Sequence, residues 1–521
     1  MTEIVRIESY VQDQWIDGEG EGSELYDPST GEVVATASTR GVDMRAALEH
    51  ARTVGGPNLR ALTFAERGEI LKGLSGRIRH HRDELLELAL RNGGNTASDG
   101  KFDLDGASGT FFVYSTIGKS LGDRRHLVDG DPVPMGKETP FQGRHVWTSR
   151  RGTAVCVNAF NFPAWGLAEK MACAFLGGMP VVVKPATLTG LVAHRVARIF
   201  VESGLLPAGT FTFLAGPAGD LLDHLEAQDV LAFTGSAVTG RRMRSHPRVL
   251  EKGVRVNVEA DSLNAAVLGP DVEPGSETWA LFVRETAREM TQKAGQKCTA
   301  TRRILVPFAR LDAVAEALAE RLARTRVGNP ADETVSMGPV ASRDQLEDVR
   351  EGMEALARVG EVVFGDPGLA VRHDGGEPEA GCFVGPLLVR VRDGREAEVV
   401  HSREVFGPAA TLVPYDGTAQ DAADLVARGE GSLVSSVYSD DRAFVEAAVL
   451  ALAPYNGRVN VGSRDIASES WGPGAVPPGL VHGGPGRAGG GEELGGIRGL
   501  HHYMQRTAIE GSGDLLAGLF D

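Results

Sequence analysis

Cysteine is scarce in this sequence: four in 521 residues, at Cys156, Cys173, Cys298 and Cys382. No two of them stand at the short spacing of a zinc site or a redox dithiol, which excludes a disulfide framework and suits a reducing compartment. Long hydrophobic runs are absent as well. No apolar stretch approaches the roughly 20 residues needed to cross a bilayer. Residues 1–10 mix charge with apolar side chains and lack the continuous apolar centre of a secretion signal. A cytoplasmic protein with no membrane contact is expected. Basic residues are outnumbered, 54 Lys and Arg against 70 Asp and Glu, for a formal net charge of -16. That balance argues against a nucleic-acid binder, which needs a basic face, though it leaves room for a local basic pocket around an anionic ligand. No solenoid repeat is present, and no cluster of metal ligands is expected.

What is present describes a well-cored protein of two or three structural units: 42% hydrophobic and 24% charged residues over 521 positions. Residues 4–38 hold short apolar runs broken by Gly and by Asp27-Pro28, the pattern of a small β meander. Residues 42–91 carry apolar positions three and four apart, as helices do. Residues 123–150 contain Gly and Pro with few helical signals and suggest an extended hairpin arm. From there strands are predicted at 154–157, 181–183, 211–214 and 230–233, alternating with helices at 164–175, 191–203 and 219–226. Such alternation points to βαβ units and a parallel sheet, whose ligands gather at the carboxyl ends of the strands. A second, less regular α/β stretch covers 262–459, with helices near 279–291 and 311–324. Residues 471–499 are Gly-rich and suit either a flexible linker or an ordered loop. The ordered loop is preferred, because Glu492, Glu493 and Leu494 follow and a strand-like tail at 501–509 needs an anchor.

Several residues in these segments carry chemistry. Cys298 sits among small and polar neighbours, Ala294-Gly295-Gln296-Lys297-Cys298-Thr299-Ala300. A lone cysteine is most often an inert buried hydrophobe, but an apolar core strand would not have this composition. Lys297 is a candidate for stabilising a thiolate unless its side chain points away. Asn161, in Asn158-Ala159-Phe160-Asn161-Phe162-Pro163, follows a strand and reads either as a turn residue before proline or as an amide donor to an oxyanion. Glu259 ends the strand-like Arg255-Val256-Asn257-Val258 and is either a helix cap or a general base. Phe233-Thr234-Gly235-Ser236 is a strand running through a turn into a helix, a place where backbone N–H groups can hold phosphate. Lys184-Pro185-Ala186-Thr187 adds a cation at the same edge.

In order and separation, Asn161-Phe162-Pro163, Lys184-Pro185-Ala186, Phe233-Thr234-Gly235-Ser236, Glu259, Gln296-Lys297-Cys298 and Glu404-Val405-Phe406-Gly407-Pro408 resemble the signature positions of the aldehyde dehydrogenase superfamily along nearly the whole chain. The resemblance implies an α/β fold of two Rossmann-like domains plus a β oligomerisation arm. The cofactor-binding domain would take residues 1–122 and 151–258, the catalytic domain 259–499, and the arm 123–150 and 500–521. It implies Cys298 as nucleophile, Asn161 with the Cys298 backbone N–H as oxyanion hole, and Glu259 as the base that activates water. Lys170 and Glu493 would pass protons away from that base. Lys184, Thr187, Gly235 and Ser236 would meet the adenosine ribose and phosphates of the cofactor, Glu404 the nicotinamide ribose, and Phe406 the nicotinamide.

A narrower similarity lies in Asn158 to Asn161, in Glu259-Ala260-Asp261-Ser262-Leu263-Asn264 and in the Gly-rich loop. These resemble the dehydrogenase half of the bifunctional ring-opening enzymes of phenylacetate catabolism and, equally, the stand-alone semialdehyde dehydrogenases of aerobic benzoyl-CoA oxidation. The implied substrate is a CoA-thioester semialdehyde and the implied cofactor NADP, with NAD as the alternative. Thr187 stands where NAD-preferring members carry Glu. No hydratase half is found within the 521 residues, so ring hydrolysis is not expected. Residues 463–478 depart from those relatives and are a candidate lining of the substrate entrance. A CoA-acylating reaction is disfavoured by Glu259, and a catalytically silent binding protein by Cys298, Glu259 and Asn161 together. A homodimer or dimer of dimers is expected, built on the extended arm and tail.

Overall fold

The computed structural model describes residues 4–137, 140–367 and 381–520. Two large sheets organise it. In the first, five parallel strands lie in the spatial order Arg255–Glu259, Val230–Thr234, Ala154–Val157, Val181–Lys184, Phe211–Phe213. Ala154–Val157 is buried along its whole length, as expected of a parallel strand covered on both faces. The hairpin Ser9–Val11 and Gln14–Ile16 closes one edge antiparallel, turning through Gln12 and Asp13 at φ 51° and 60°. Positive φ at both turn residues is what a two-residue hairpin requires. The expected single meander at 4–38 is therefore divided. This hairpin joins the large sheet, while Val5–Ile7, Ser23–Tyr26 and Val33–Ala37 form a three-stranded sheet of their own.

The second large sheet has seven strands in the order Glu361–Phe364, Leu387–Arg390, Ala409–Tyr415, Arg303–Pro307, Ala265–Leu268, Ser432–Tyr438, Asn456–Gly462. All pairs are parallel except at the Glu361–Phe364 edge. Helices Glu277–Thr291 and Leu311–Leu322 match the two predicted there. A further, wholly antiparallel sheet of three strands sets Phe141–Ser149 between His126–Pro134 and Met504–Ser512. The tail strand starts later than expected, because His501 belongs to the short helix Ile497–His501.

Two helix expectations need correction. Between Gly219 and the strand at Val230 there is room only for the 3₁₀ turn Leu221–His224, so the helix predicted at 219–226 does not form. Conversely, the 25-residue helix Ala97–Leu121 was not foreseen, because Gly, Ser and Thr fill its sequence. Its logic is tertiary. Gly118 faces Gly68 of helix Phe64–His80, and a Cβ on Gly118 would stand 2.6 Å from the Phe64 carbonyl oxygen. Glycine costs a helix about 1 kcal/mol relative to alanine, but here it lets two backbones touch, with Leu104, Ala107, Phe111 and Tyr114 packed into the core beside them.

The Gly-rich stretch is ordered. Val481–Gly483 pairs antiparallel with Glu492–Leu494 around a 3₁₀ turn at Gly486–Ala488. The loop is pinned to the first sheet, since Ala260 N–H donates to the Ala488 carbonyl and Glu492 N–H to the Asn257 side chain. Among the described residues no helix is long and apolar enough to cross a membrane.

Candidate active site

In the first sheet the chain runs outward from Ala154–Val157 in one direction and then returns to build Val230–Thr234 and Arg255–Glu259 on its other side. This reversal leaves a crevice beyond the carboxyl ends of the two middle strands, the usual ligand position in a doubly wound sheet. A cavity of about 1160 Å³ opens there, lined by Asn158 to Asn161, Gly235, Ser236 and Glu259 from the first sheet and by Cys298, Glu404 and Phe406 from the second half of the chain. A smaller space of about 30 Å³ adjoins Cys298, walled by Phe162, Trp165, Glu169, Gly474, Val476 and His482. Asn161, Thr234, Glu259 and Cys298 border both, so they stand where the two spaces meet.

The loop bearing Cys298 is held in an unusual backbone. Lys293, Ala294 and Gly295 adopt φ of 54°, 51° and 68°. Left-handed non-glycine residues are costly and persist only where their surroundings over-determine them. Those surroundings are present. Lys293 N–H donates to Asp99 and its ammonium to Asn95, while a Cβ on Gly295 would lie 2.2 Å from the Gly407 carbonyl. Arg302 donates to the carbonyls of Gly295, Lys297 and Gly407. Asn264 donates to the Cys298 carbonyl at 2.7 Å. Lys297 points away from the thiol, buried against Glu289 at 2.5 Å and Gln292 at 2.8 Å, so it supplies no charge to Sγ.

Around the thiol the structure assembles a buried polar chain. His482 Nε2 lies 3.8 Å from Cys298 Sγ and 3.2 Å from Glu259 Oε1. Glu259 Oε2 meets Thr234 Oγ1 at 3.4 Å, and Thr234 accepts from Lys170 Nζ at 2.6 Å. Lys170 is ion-paired to Glu493 at 3.0 Å, which also accepts from Asn257 at 3.1 Å. Asn161 is 8% exposed, and its amide takes no protein partner among the described residues, so it is free to donate into the cavity.

The sequence profile of the aldehyde dehydrogenase family matches residues 15–509. The chain belongs to that family. It is 46% identical over 482 residues, 92% of its length and 93% of the relative's, to a 3,4-dehydroadipyl-CoA semialdehyde dehydrogenase from Aromatoleum evansii. Its fold is that of betaine aldehyde dehydrogenase from Staphylococcus aureus in complex with NAD+ (TM-score 0.83, 23% identity, 97% of this chain and 95% of the other). An aldehyde dehydrogenase from Bacillus cereus shares the fold equally (TM-score 0.81, 21% identity, 97% and 96%). The chain is an oxidoreductase acting on aldehydes.

The electrostatics of this aldehyde dehydrogenase are uneven. Burial pushes the Cys298 thiol well above its ordinary value, and the carboxylates of Glu259, Glu169 and Glu404 push the same way. Burial alone would also raise Glu259, but His482 and then Lys170 outweigh it and hold the carboxyl at about 2. For Glu169 burial prevails over the lowering influence of His482 and Lys170, and with Glu259 and Glu493 nearby it is raised to about 8. Glu404 is raised to about 7 by burial despite Arg302. The Lys170 ammonium would be lowered by burial, but Glu493, Glu259 and Glu169 raise it.

Of the remaining expected positions, Ser236 caps helix Ala237–Arg244 and Gly235 precedes it, both on the cavity wall. Glu404 accepts from Ser262 N–H and Arg302, and Phe406 lies edge-on to Phe160 at 5.8 Å. Lys184 and Thr187 are half-buried near the same edge, with Ala186 between them on the cavity wall and neither of the two lining it. Gly474 and Val476 of the divergent 463–478 segment line the small space beside Cys298. His482 was not singled out from the sequence. Its one signal was a histidine at the threshold of a Gly-rich loop, and only the pairing of that loop with Glu492–Leu494 carries it to the thiol.

Proposed function

We propose that this enzyme oxidises a semialdehyde carried as a CoA thioester to the carboxylic acid with NADP, through a thioester on Cys298. The observation that carries the reading is the position of Cys298, Glu259 and Asn161 at the meeting of a large and a small cavity. One side has room for a dinucleotide and the other for the aldehyde end of a substrate. Cys298 is the nucleophile, and the Asn161 amide with the Cys298 backbone N–H receives the oxyanion. Glu259 removes a proton from the water that releases the acid, with Lys170 and Glu493 behind it as the outward proton path.

The residues fit a dinucleotide. Both polar atoms of the Asn158 side chain are buried without a partner on the wall of the large cavity. Burial alone lowers Lys184, with no carboxylate beside it, so its charge is available to an anionic ligand. Gly235 and Ser236 at the helix start, with Arg241 and Arg487 on the same wall, suit phosphates. Glu404 and Phe406, which line the same cavity as Cys298, suit the nicotinamide end. When bound, the nicotinamide supplies the hydride acceptor. Thr187 can donate to a 2′-phosphate where a carboxylate would repel it, which supports NADP. The CoA-linked substrate is supported by the name of the 46% identical relative and by its match over nearly the whole chain.

The test is a spectrophotometric assay of reduced cofactor with CoA-thioester semialdehydes of the dehydroadipyl and phenylacetate-derived types, set against the same aldehydes without CoA. A higher kcat/KM for a CoA thioester and for NADP, with Thr187→Glu moving the cofactor ratio toward NAD, is the expected result. Equal use of simple aldehydes would overturn the substrate, and a preference for NAD would overturn the cofactor. A requirement for free CoA as co-substrate would replace hydrolysis by acyl transfer.

A further inference from the structure

We propose that His482, between Cys298 Sγ and Glu259, is a further catalytic residue that takes the thiol proton and holds the nucleophile as a thiolate–imidazolium pair. The inference rests on Cys298 being the nucleophile. Its basis is a single buried nitrogen, Nε2, 3.8 Å from the sulfur and 3.2 Å from the carboxylate, on a side chain 2% exposed. The hairpin makes this placement rigid. His482 stands directly opposite Glu493 across the Val481–Gly483 and Glu492–Leu494 ladder. Glu493 is in turn held by Lys170 and Asn257, so the residue facing His482 is anchored to both the helix and the first sheet.

The need for such a group follows from what else surrounds the sulfur. Burial and the Glu259 carboxylate oppose its ionisation, as do Glu169 and Glu404 when ionised, while the Arg458 and Arg302 charges favour it. The nearby lysine in sequence, Lys297, is turned away into its pair with Glu289. Arg458 and Arg302 can accept no proton, and their N–H donors go to other groups: the carbonyls of Pro473 and Ala475 in the first case, and the carbonyls of Gly295, Lys297 and Gly407 with the Glu404 carboxylate in the second. The titratable and charged groups facing His482 are Glu259 from its strand, Glu169 and Lys170 from helix Trp165–Leu176, Glu493 from the hairpin, Arg458 from strand Asn456–Gly462, and Cys298 itself. Burial disfavours the imidazolium, but Glu259 and Glu169 favour it and raise the histidine above its ordinary value.

The step balances without a further reagent. The step starts from the neutral imidazole with its lone pair on Nε2: the S–H bond breaks, its proton goes to Nε2, which then donates toward Glu259, and the electron pair stays on sulfur. Sulfur then bonds the carbonyl carbon while the π pair moves to oxygen beside Asn161. The C–H pair leaves as hydride to the oxidised nicotinamide that the dehydrogenase reaction already requires, and a thioester remains. Water, deprotonated by Glu259, attacks that carbon, the C–S bond breaks, and the thiolate returns to the waiting imidazolium. Glu259 thereby has two duties, countering the imidazolium and activating water.

The experiment is the rate of alkylation by iodoacetamide against pH, read by intact-protein mass spectrometry, for the wild type, His482→Gln, His482→Phe and Cys298→Ser. The other three cysteines are buried, so the reaction reports Cys298. The wild type should show its inflection below about 8.5, the value of a free thiol. Both His482 variants should move it upward, with alkylation at neutral pH falling about tenfold for each unit. Their pre-steady-state burst of reduced cofactor should slow in parallel and recover as pH is raised, while cofactor binding stays intact. Superimposable alkylation profiles in wild type and a folded His482→Gln overturn the proposal. So does a wild-type inflection at or above that of a free thiol, which needs no variant to fold. Turnover surviving in Cys298→Ser would instead overturn the nucleophile assignment. A dead Cys298→Ser beside an unchanged His482→Gln profile removes His482 alone.

Discussion

Replacing Glu259 by glutamine tests the assigned division of labour most directly, because the structural and catalytic effects differ in size. Glutamine keeps the shape of the side chain, and its carbonyl can still face Thr234 or His482, which Glu259 meets at 3.4 and 3.2 Å. The structural cost is then that of turning one charge-assisted hydrogen bond into a neutral one, about 1 kcal/mol. The catalytic cost is the loss of a positioned general base, roughly 10²–10⁴ in rate or about 3–5 kcal/mol. A folded variant should therefore form the Cys298 thioester and stop. Stopped-flow absorbance should show a burst of reduced cofactor approaching one equivalent per site, followed by a steady state slower by that factor. Mass spectrometry during the plateau should find the acyl group on Cys298. Wild-type acid sensitivity should not come from this carboxyl, which stays ionised down to about 2 under the influence of His482 and Lys170 against burial. Steady-state turnover close to wild type would falsify the role of Glu259 as hydrolytic base. Because Glu259 also counters the His482 imidazolium, the burst should form more slowly than in the wild type; its complete loss in a folded protein would make support of the thiolate the main role of Glu259.

Lys170→Met should strip a buried cation from Glu493 and Thr234 and leave an unpaired carboxylate behind, costing about 3–5 kcal/mol in urea denaturation. A loss below about 1 kcal/mol would contradict the ion pair, and adding Glu493→Gln should restore part of the stability. Glu169 gives a pH dependence. Burial raises its folded value from 4.5 to about 8, so the folded state binds a proton that the unfolded chain releases between those limits. Its contribution is complete at acidic pH and is lost as pH rises through about 8. Wild-type Tm should decline across that window and Glu169→Gln should flatten the decline; parallel curves would refute it. Light scattering at micromolar concentration should give a multiple of 55.2 kDa, reflecting pairing through the three-stranded arm, whose Val133, Met135 and Phe141 are exposed on the single chain. A monomer mass would refute the arm as an assembly surface.

Local pattern by itself determined the parallel strands at 154–157, 181–183 and 230–233, the last two of which the structure extends by one residue, because a strand buried on both faces must be apolar throughout and must be followed by its crossover. It determined the extended arm for a similar reason, since nothing in residues 123–150 repeats at a helical spacing. Asn161, Glu259 and Cys298 were legible as candidates one by one, each with a bland alternative, and became a constellation only through their order and resemblance. The tertiary structure decided the rest. Helix Ala97–Leu121 forms because Gly118 and Gly68 bring two backbones into contact, a gain that no propensity along one segment contains. The left-handed bend at Lys293 and Ala294 exists because Asp99, Asn95 and Gly407 hold it, from positions far away in sequence. His482 reaches Cys298 across 184 positions of sequence because a glycine-rich hairpin folds back onto the first sheet. Periodicity reports which face of an element is buried, but the partner that buries it, and the charge that partner brings, are properties of the closed chain.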